Sequence, residues 1–537
     1  MSHFEEMNEA ELDELIERVE SAIRDHLSLS VADMQRLLSA LRMLVELQGE
    51  LSNRSVTLHK LRKLAGLVQS SEKLTSPTES SDESRSTELN KPKPSPQPRK
   101  EPQPPVIHQT CHHQIEGLKK GDPCPECLRG KLYTYDPSVV LRISGQTPLT
   151  STRHILERLR CNACGIYFTA PMPPEVLRDG GSEQKYGYSA RALMAIYKHF
   201  AGLPFYRQQT LQQMLGLPVS ASTIFDQNEV LANTLQPIFK AFIALSANAV
   251  HYHSDDTTNR ILDQDTIQKP NRRTGKWTER SGIYTSGVIA TLASGHAVIL
   301  FQTNIGHAGE WLDEILALRD INAPPPILMS DALSRNQPTR LKAGAYYPTL
   351  CNSHARREFF DLIEFFPDQI PWILERYGRI WEHEAQCQQQ KLAPAARLLY
   401  HQTHSEPIMI ELKQWGESQL QSGTFESNSR FGQAVRYFLN HYEGLTGFCR
   451  IEGAQLDNNR MEAALKLIIR GRNNALFFKT LAGAAIADLL VSVIATCHEE
   501  GINPLDYLVQ IQRHAEAVNA APMQWLPWNY PQATEPI

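Results

Sequence analysis

The chain has 537 residues, too many for one ordinary core, and a prior of roughly 150 residues per domain suggests about three or four units. Its composition, 41% hydrophobic and 21% charged, is that of a globular protein, and no uninterrupted apolar stretch approaches the length that spans a bilayer, which argues against a membrane protein. The net charge of -5 gives no global signal for nucleic acid, so such a partner has to be argued from local clusters.

The start of the chain, MSHFEEMNEAELDELIERVE, is acidic and amphipathic and lacks the basic start, apolar core and cleavage site of a secretory signal. A cytoplasmic location is expected, and there nine cysteines are read for metal or chemistry rather than for disulfides. Residues 1–69 are helical by period, with Leu12, Leu15, Val19 and Ile23 in one stripe and Leu37, Leu41, Leu44, Leu47 and Leu51 in a second. Two helices follow from this. The stripes are ordinary core or the seam of a coiled coil, although the a/d spacing is not sustained over many heptads. Residues 70–106 have almost no apolar content and end in closely spaced prolines, the composition of a disordered linker.

Residues 107–172 carry two C-x-x-C pairs, Cys124 with Cys127 and Cys161 with Cys164. Each pair can place two thiolates on one tetrahedral ion from a tight turn, and two such turns close a four-sulfur structural zinc site, a zinc ribbon. Redox or free thiols are the competing reading; a small segment with few large apolar residues needs a staple, which favours zinc. Cys111, His112 and His113 beside the linker are read as solvated. Residues 173–245 form a helical DNA-binding or support region, with a helix start at Ser220 to Thr223.

After Asn248 the period changes to two. AVHYHSDDTTNRIL reads as a strand running into Asp255 and Asp256, SGIYTSGVIATL and HAVILFQT as two more strands, and HAGEWLDEILALR as a helix. PPPILMSDAL is a fourth strand ending in Asp331, and LKAGAYYPTLCNSHARREFFDLI a fifth strand passing into a helix. Three strands, helix, strand, short helix, strand, with acids at the ends of the first and fourth strands, is the order of an RNase H-like sheet. The expected fold is therefore α/β multidomain, with an RNase H-like catalytic domain over residues 246–480, a helical insertion at about 364–448, and a C-terminal helical region over 481–537.

In LDNNRMEAALKLIIRGRNN a helix buries Met461, Ala464, Leu465 and Ile468 and sets Glu462 at the edge of the stripe. Around it Arg460, Lys466, Arg470, Arg472 and Lys479 form a basic cluster suited to phosphate. Three carboxylates from two strand ends and one helix can hold a pair of hard divalent ions that clamp an in-line phosphoryl displacement. Each acid also has a bland reading: Asp255 or Asp256 ends a strand, Asp331 opens a helix, and Asn459 with Glu462 fits a capping box.

Taken together, the C-x-x-C pairs, YGYSARALMAIYKHFAGLPFYRQ, HSDDTTNRIL, ILMSDAL, CNSHARREF, LDNNRMEAALKLIIRGRNN and GINPLDYL resemble the transposases of the insertion sequence 66 family, over about residues 107–510. The resemblance implies a DDE-type transposase with Asp255, Asp331 and Glu462 as catalytic triad and magnesium ligands. It implies double-stranded DNA, element ends and target, as the partner of a nucleoid-associated homo-oligomer, with small accessory proteins from the same element. Asp256 stands where relatives resemble Asp-Glu-Thr, so the metal is assigned to Asp255, and Asn473 replaces a frequent lysine.

Cys351 and His354 suggest a metal pair, but no second pair is evident; His354, Arg356 and Arg357 are instead assigned to DNA near the scissile phosphate, with Cys351 an ordinary core thiol. Residues 268–280, QKPNRRTGKWTER, either line DNA or form an exposed hairpin tip. The mechanism expected is hydrolysis at the element end, releasing a 3'-hydroxyl that attacks target DNA at the same site, without a covalent protein nucleophile. The rivals are an RNase H-like nuclease that does not join and a non-catalytic zinc-ribbon DNA-binding regulator.

Overall fold

A computed structural model describes residues 148–530 apart from 161–166, 181–183, 265, 271–276, 339–343 and 423–428, together with scattered residues among 18–36 and 120–133. Cys124, Cys127, Cys161 and Cys164, the linker and most of the leucine stripes lie outside the described residues. The chain divides into two units, Met1–Pro137 and Ser138–Ile537. In the first, Pro123 and Lys131 pair as an antiparallel bridge. In the second, β1 (Arg158–Arg160) and β2 (Tyr167–Thr169) form a two-stranded antiparallel sheet.

Among the helices that precede the main sheet are α1 (Tyr188–His199), α2 (Phe205–Met214) and α3 (Ala221–Ser246). Helix α3 starts where the sequence places a cap, since the Ser220 hydroxyl accepts from the Thr223 N–H at 3.1 Å. The sheet is built from β3 (His251–Asn259), β6 (Ile283–Thr291), β7 (Ala297–Asn304), β8 (Ile327–Ser330) and β9 (Tyr347–Leu350), in the order β7-β6-β3-β8-β9. Strands β3, β6 and β7 are antiparallel, and β8 and β9 run parallel to β3. A separate hairpin, β4 (Ile267–Pro270) with β5 (Trp277–Arg280), grows out of the β3–β6 connection. Trp277 at its edge is exposed.

Alternation along the strands gives the sheet two apolar faces. Tyr252, Val288, Ala290, Val298, Leu300 and Leu328 pack with α1, α3 and α4 (Ala308–Leu316) in the largest core. Ile289, Ile299 and Phe301 point the other way and meet Met461 and Leu465. After β9 comes α5 (Asn352–Phe360), and then α6 (Ile370–Gln389), α7 (Pro394–His404), α8 (Glu406–Gln421) and α9 (Arg430–Asn440); α5, α6, α8 and α9 share a second core. The chain returns to the sheet as α10 (Asn459–Ala475), α11 (Leu481–Glu499) and α12 (Pro504–Arg513).

Helix α11 is long and apolar enough to cross a membrane by length and composition, yet two thirds of it, 67%, is buried inside the fold. Its polar residues recur every four positions and face the free edge of β7. The N–H of Thr303 donates to Asp488 at 2.6 Å, that of Phe301 to Ser492 at 2.9 Å and that of Ile299 to Thr496 at 3.0 Å; just past the helix Glu500 accepts from Ala297 at 2.7 Å. One helix face thus satisfies the alternate donors that an open sheet edge leaves unpaired, which blocks edge-to-edge association.

Burial pushes the Asp488 carboxyl from its ordinary 3.8 up to about 7, although both Thr303 donors favour the anion. The folded chain therefore keeps this proton while the unfolded chain loses it between those values, so the group lowers stability as pH rises through that window. Asp488→Asn keeps the shape and one acceptor without the charge, its Nδ2–H then donating to the Thr303 hydroxyl instead of accepting from it. Denaturant unfolding should find the variant gaining on wild type by about 1–3 kcal/mol between about pH 5 and about pH 8; a difference independent of pH would contradict this account.

Candidate functional site

The site forms where β3 outruns β8. The parallel pairing of β3 to β8 stops at His253 with Met329, whereas its antiparallel pairing to β6 continues to Asn259, so Asp255 lies inside a strand on one side and beyond its neighbour's end on the other. Asp331 directly follows Ser330, the last residue of β8. The sequence expectation of an acid at the end of the first strand is thus met only on the β8 side.

A single amide joins these acids. Asn336, in the turn Ser334–Asn336, is fully buried, and its Nδ2 donates to Asp331 Oδ1 at 3.0 Å and to Asp255 Oδ1 at 3.4 Å. Asp255 is also capped by the Asp256 N–H at 2.8 Å. Burial, and after it the negative charge of Asp331, pushes the Asp255 carboxyl up to about 7, with Asp256 and Glu462 adding to the same effect. Burial raises Asp331 as well, against the pull of Asn336, the Leu333 N–H and His354.

Glu462 arrives on α10. The cap of this helix is Asn458, not Asn459, and its side chain does not cap the helix: Nδ2 donates to the Ser254 carbonyl at 3.1 Å and Oδ1 meets His253 Nδ1 at 3.0 Å. The Asn458 N–H reaches Cys351 Sγ at 3.2 Å. The capping-box reading of Asn459 with Glu462 therefore does not hold, because Asn459 is already the first helical residue and its side chain bonds Asp457. A glycine makes room for the helix: Gly287 pairs with Asp255 across β3 and β6, and a methyl group there would collide with the Met461 side chain.

Glu462 is about one quarter exposed, with His354 Nδ1 at 3.7 Å and Arg357 at 3.9 Å. Both Glu462 Oε1 and His354 Nδ1 are buried atoms without a hydrogen-bond partner among the described residues. Cys351 caps α5, with burial pushing its thiol up to about 11 against the N–H groups of Asn458, His354 and Ser353.

Asp256 points to the opposite face of β3 from Asp255, where its carboxylate meets His307 Nδ1 at 2.7 Å. The remaining basic residues are spread. Arg356 lies over the Phe360 ring, and Lys466 is exposed on α10. Arg460 is paired with Glu499 at 2.6 Å, Arg470 donates to the Phe200 carbonyl at 3.2 Å, and Arg472 to the Thr257 hydroxyl at 3.1 Å and to Thr258. Sequence reasoning missed Asn336, Asn458, His307 and Gly287. Three of these stand in runs already singled out, LDNNRM, SGIYTSGVIATL and HAGEWLDEILALR, but the partners come from distant segments.

The fold is mixed α/β, with Asp255 and Asp331 brought together at adjoining strands and Glu462 on the helix beside them. The sequence model of the Transposase IS66 family matches residues 184–486, and the chain belongs to that family. Among curated proteins it is similar to the uncharacterized protein y4hP of Sinorhizobium fredii, 26% identical over 398 residues, which are 71% of this chain and 68% of the relative. The uncharacterized protein y4jD of the same organism is 23% identical over 390 residues, 70% of this chain and 72% of that one.

With its pKa raised, Asp255 destabilises the metal-free fold as pH climbs from the ordinary aspartate value toward about 7, since the folded state holds a proton that the unfolded state has released. In the absence of divalent metal at about pH 8, Asp255→Asn should therefore stabilise the protein by about 1–2 kcal/mol. Thermal unfolding in a chelator checks this, and a destabilised variant would show that Asp255 is held by favourable contacts instead.

Proposed function

We propose that this transposase is of the DDE type, with an RNase H-like core in which Asp255, Asp331 and Glu462 act on phosphodiesters at element ends and then on target DNA. The observation that carries the reading is the Asn336 amide on both Asp255 and Asp331, with Glu462 adding to the charge on Asp255. The sheet order β7-β6-β3-β8-β9, with one parallel and one antiparallel side about β3, supports the fold assignment.

The donor set is all oxygen and includes the buried Glu462 Oε1, which has no hydrogen-bond partner among the described residues, and it fits a hard divalent cation such as Mg2+. Bound by these carboxylates, a pair of such ions would neutralise charge on the phosphate and sharpen water and the 3'-hydroxyl as nucleophiles. The chain's own residues do the rest. Asn336 fixes the separation of the aspartates, and the lock at Asn458 fixes Glu462 against them. His354 and Arg357, next to Glu462, are placed to receive a phosphate oxygen, and Lys466 offers a further cation along α10. Water adds to phosphorus as the 3'-oxygen leaves with a proton; in the second step that 3'-oxygen adds to a target phosphate and the target's own 3'-oxygen leaves. Positioning carries both steps, and no protein nucleophile is needed.

We extend the proposal to a structural zinc held by Cys124, Cys127, Cys161 and Cys164. Its support is that each C-x-x-C falls between segments that pair antiparallel, Pro123 with Lys131 and β1 with β2. The ribbon and the helices after it are assigned to recognition of element ends, with the chain acting as a homo-oligomer on DNA.

Glu462→Gln keeps shape while removing charge. With labelled element ends and Mg2+, the variant should bind ends at near wild-type affinity but lose cleavage and joining by about 100-fold or more. Normal cutting and joining by it would sink the triad, and cutting without joined products by wild type would leave a nuclease.

A further inference from the structure

A second ion site shares Glu462. Cys351 Sγ, a ring nitrogen of His354 and a carboxylate oxygen of Glu462 lie within 4.8 Å of one another, and His354 Nδ1 and Glu462 Oε1 are 3.7 Å apart. Ligand atoms around a tetrahedral Zn2+ stand roughly 3.3–3.8 Å apart, so a small rotation of two half-buried side chains closes the set. Three features distinguish this cluster from a core thiol beside an ion pair. Its nitrogen and its carboxylate oxygen are buried and have no hydrogen-bond partner among the described residues, which is costly for polar atoms unless something else satisfies them. The sulfur sits at the N-cap position of α5, a helix of nine residues, where the Asn458 N–H reaches it at 3.2 Å. The spacing C-x-x-H, finally, comes from a cap and first helical turn, so both ligands are delivered by one rigid element.

We propose that Cys351, His354 and Glu462 form a binding site for a borderline divalent cation, Zn2+ in the first instance, which shares Glu462 with the all-oxygen set of Asp255, Asp331 and Glu462. One sulfur, one nitrogen and one oxygen suit Zn2+ and not Mg2+, and three protein ligands leave one coordination position open, as in catalytic rather than structural zinc sites. Because Glu462 serves here and, on the reading above, in the triad, an ion bound to Cys351 and His354 governs where that carboxylate points. The inference rests on that reading only for this consequence; the ion site stands on its own geometry.

The test is Co2+ titration of the full-length, metal-stripped protein, following thiolate-to-cobalt absorption and the number of ions bound. Cys351→Ser should lower the bound cobalt by about one ion per chain and remove one thiolate signal, while any ribbon signal persists. His354→Gln and Glu462→Gln, at half-buried positions that leave the thiol intact, should each weaken the same signal at least 10-fold in affinity. These two variants decide the matter if Cys351→Ser fails to fold by circular dichroism. Unchanged stoichiometry and spectra in all variants would overturn the site. Asp255→Asn separates the two readings: it should leave this cobalt signal in place and abolish cleavage, and a variant that still cleaves would refute the triad without touching the ion site.

Discussion

The Asn458 side chain is the contact on which the arrangement of acids depends. It is fully buried, and with its own N–H it spends its hydrogen bonds on two segments far from it in sequence: the Ser254 carbonyl and His253 on β3, and Cys351 after β9. Asp255 follows Ser254 by one residue, His354 follows Cys351 by three, and Glu462 follows Asn458 by four, one helical turn on. The start of α10 is thereby referenced to the two strands that flank β8. An aliphatic residue at this position would fill the space and leave the Ser254 carbonyl and His253 buried without partners, which is the expensive outcome for polar groups.

Geometry fixed in this way works against electrostatics. Asp255 and Asp331 share one amide donor, and the raised carboxyl of Asp255 records the cost of holding acids together out of water. A fold selected only for stability would replace one of them, as many sites trade stability for function. Asp488 repeats the theme without the same end. Its burial is compensated by satisfying the edge of β7, so there the strained acid serves the sheet rather than chemistry.

The strand order and the acids at the site were legible in the sequence because they rest on local signals: period-two runs, a proline stretch before β8, and helix stripes such as Met461 and Leu465. The cap at Ser220 was legible for the same reason. What stayed hidden is long-range. Nothing near Asn336 marks it as the donor between two aspartates, since LSRNQP reads as a turn and no more. Gly287 looks like an interruption in a strand, and only the packing of Met461 gives it a purpose. The recurrence of Asp488, Ser492 and Thr496, and then of Glu500, every four residues in an apolar helix was present in the text, but its meaning required knowing that β7 is an edge. Arg460 shows the converse, a basic residue grouped with the DNA-facing set on proximity alone although it pairs with Glu499.

The helices between β9 and α10 separate Asp331 from Glu462, and their hydrogen bonds explain how the chain tolerates so large an interruption. Trp381 on α6 donates to Asp457 at 3.1 Å, and Arg397 on α7 donates to the Ala454 carbonyl at 2.7 Å. Asn352, at the start of α5, donates to the Leu456 carbonyl at 3.0 Å. All three contacts fall on the residues that lead into Asn458. The interruption therefore has a rigid exit, built on its own apolar core through Leu456. Loop closure alone would leave Glu462 free to sample many positions; a folded insertion that grips residues 454–457 removes that freedom before α10 begins. The distance in sequence costs the site little, because the intervening helices pack on an apolar core of their own and their last contacts fall on residues 454–457, just before the helix that carries Glu462.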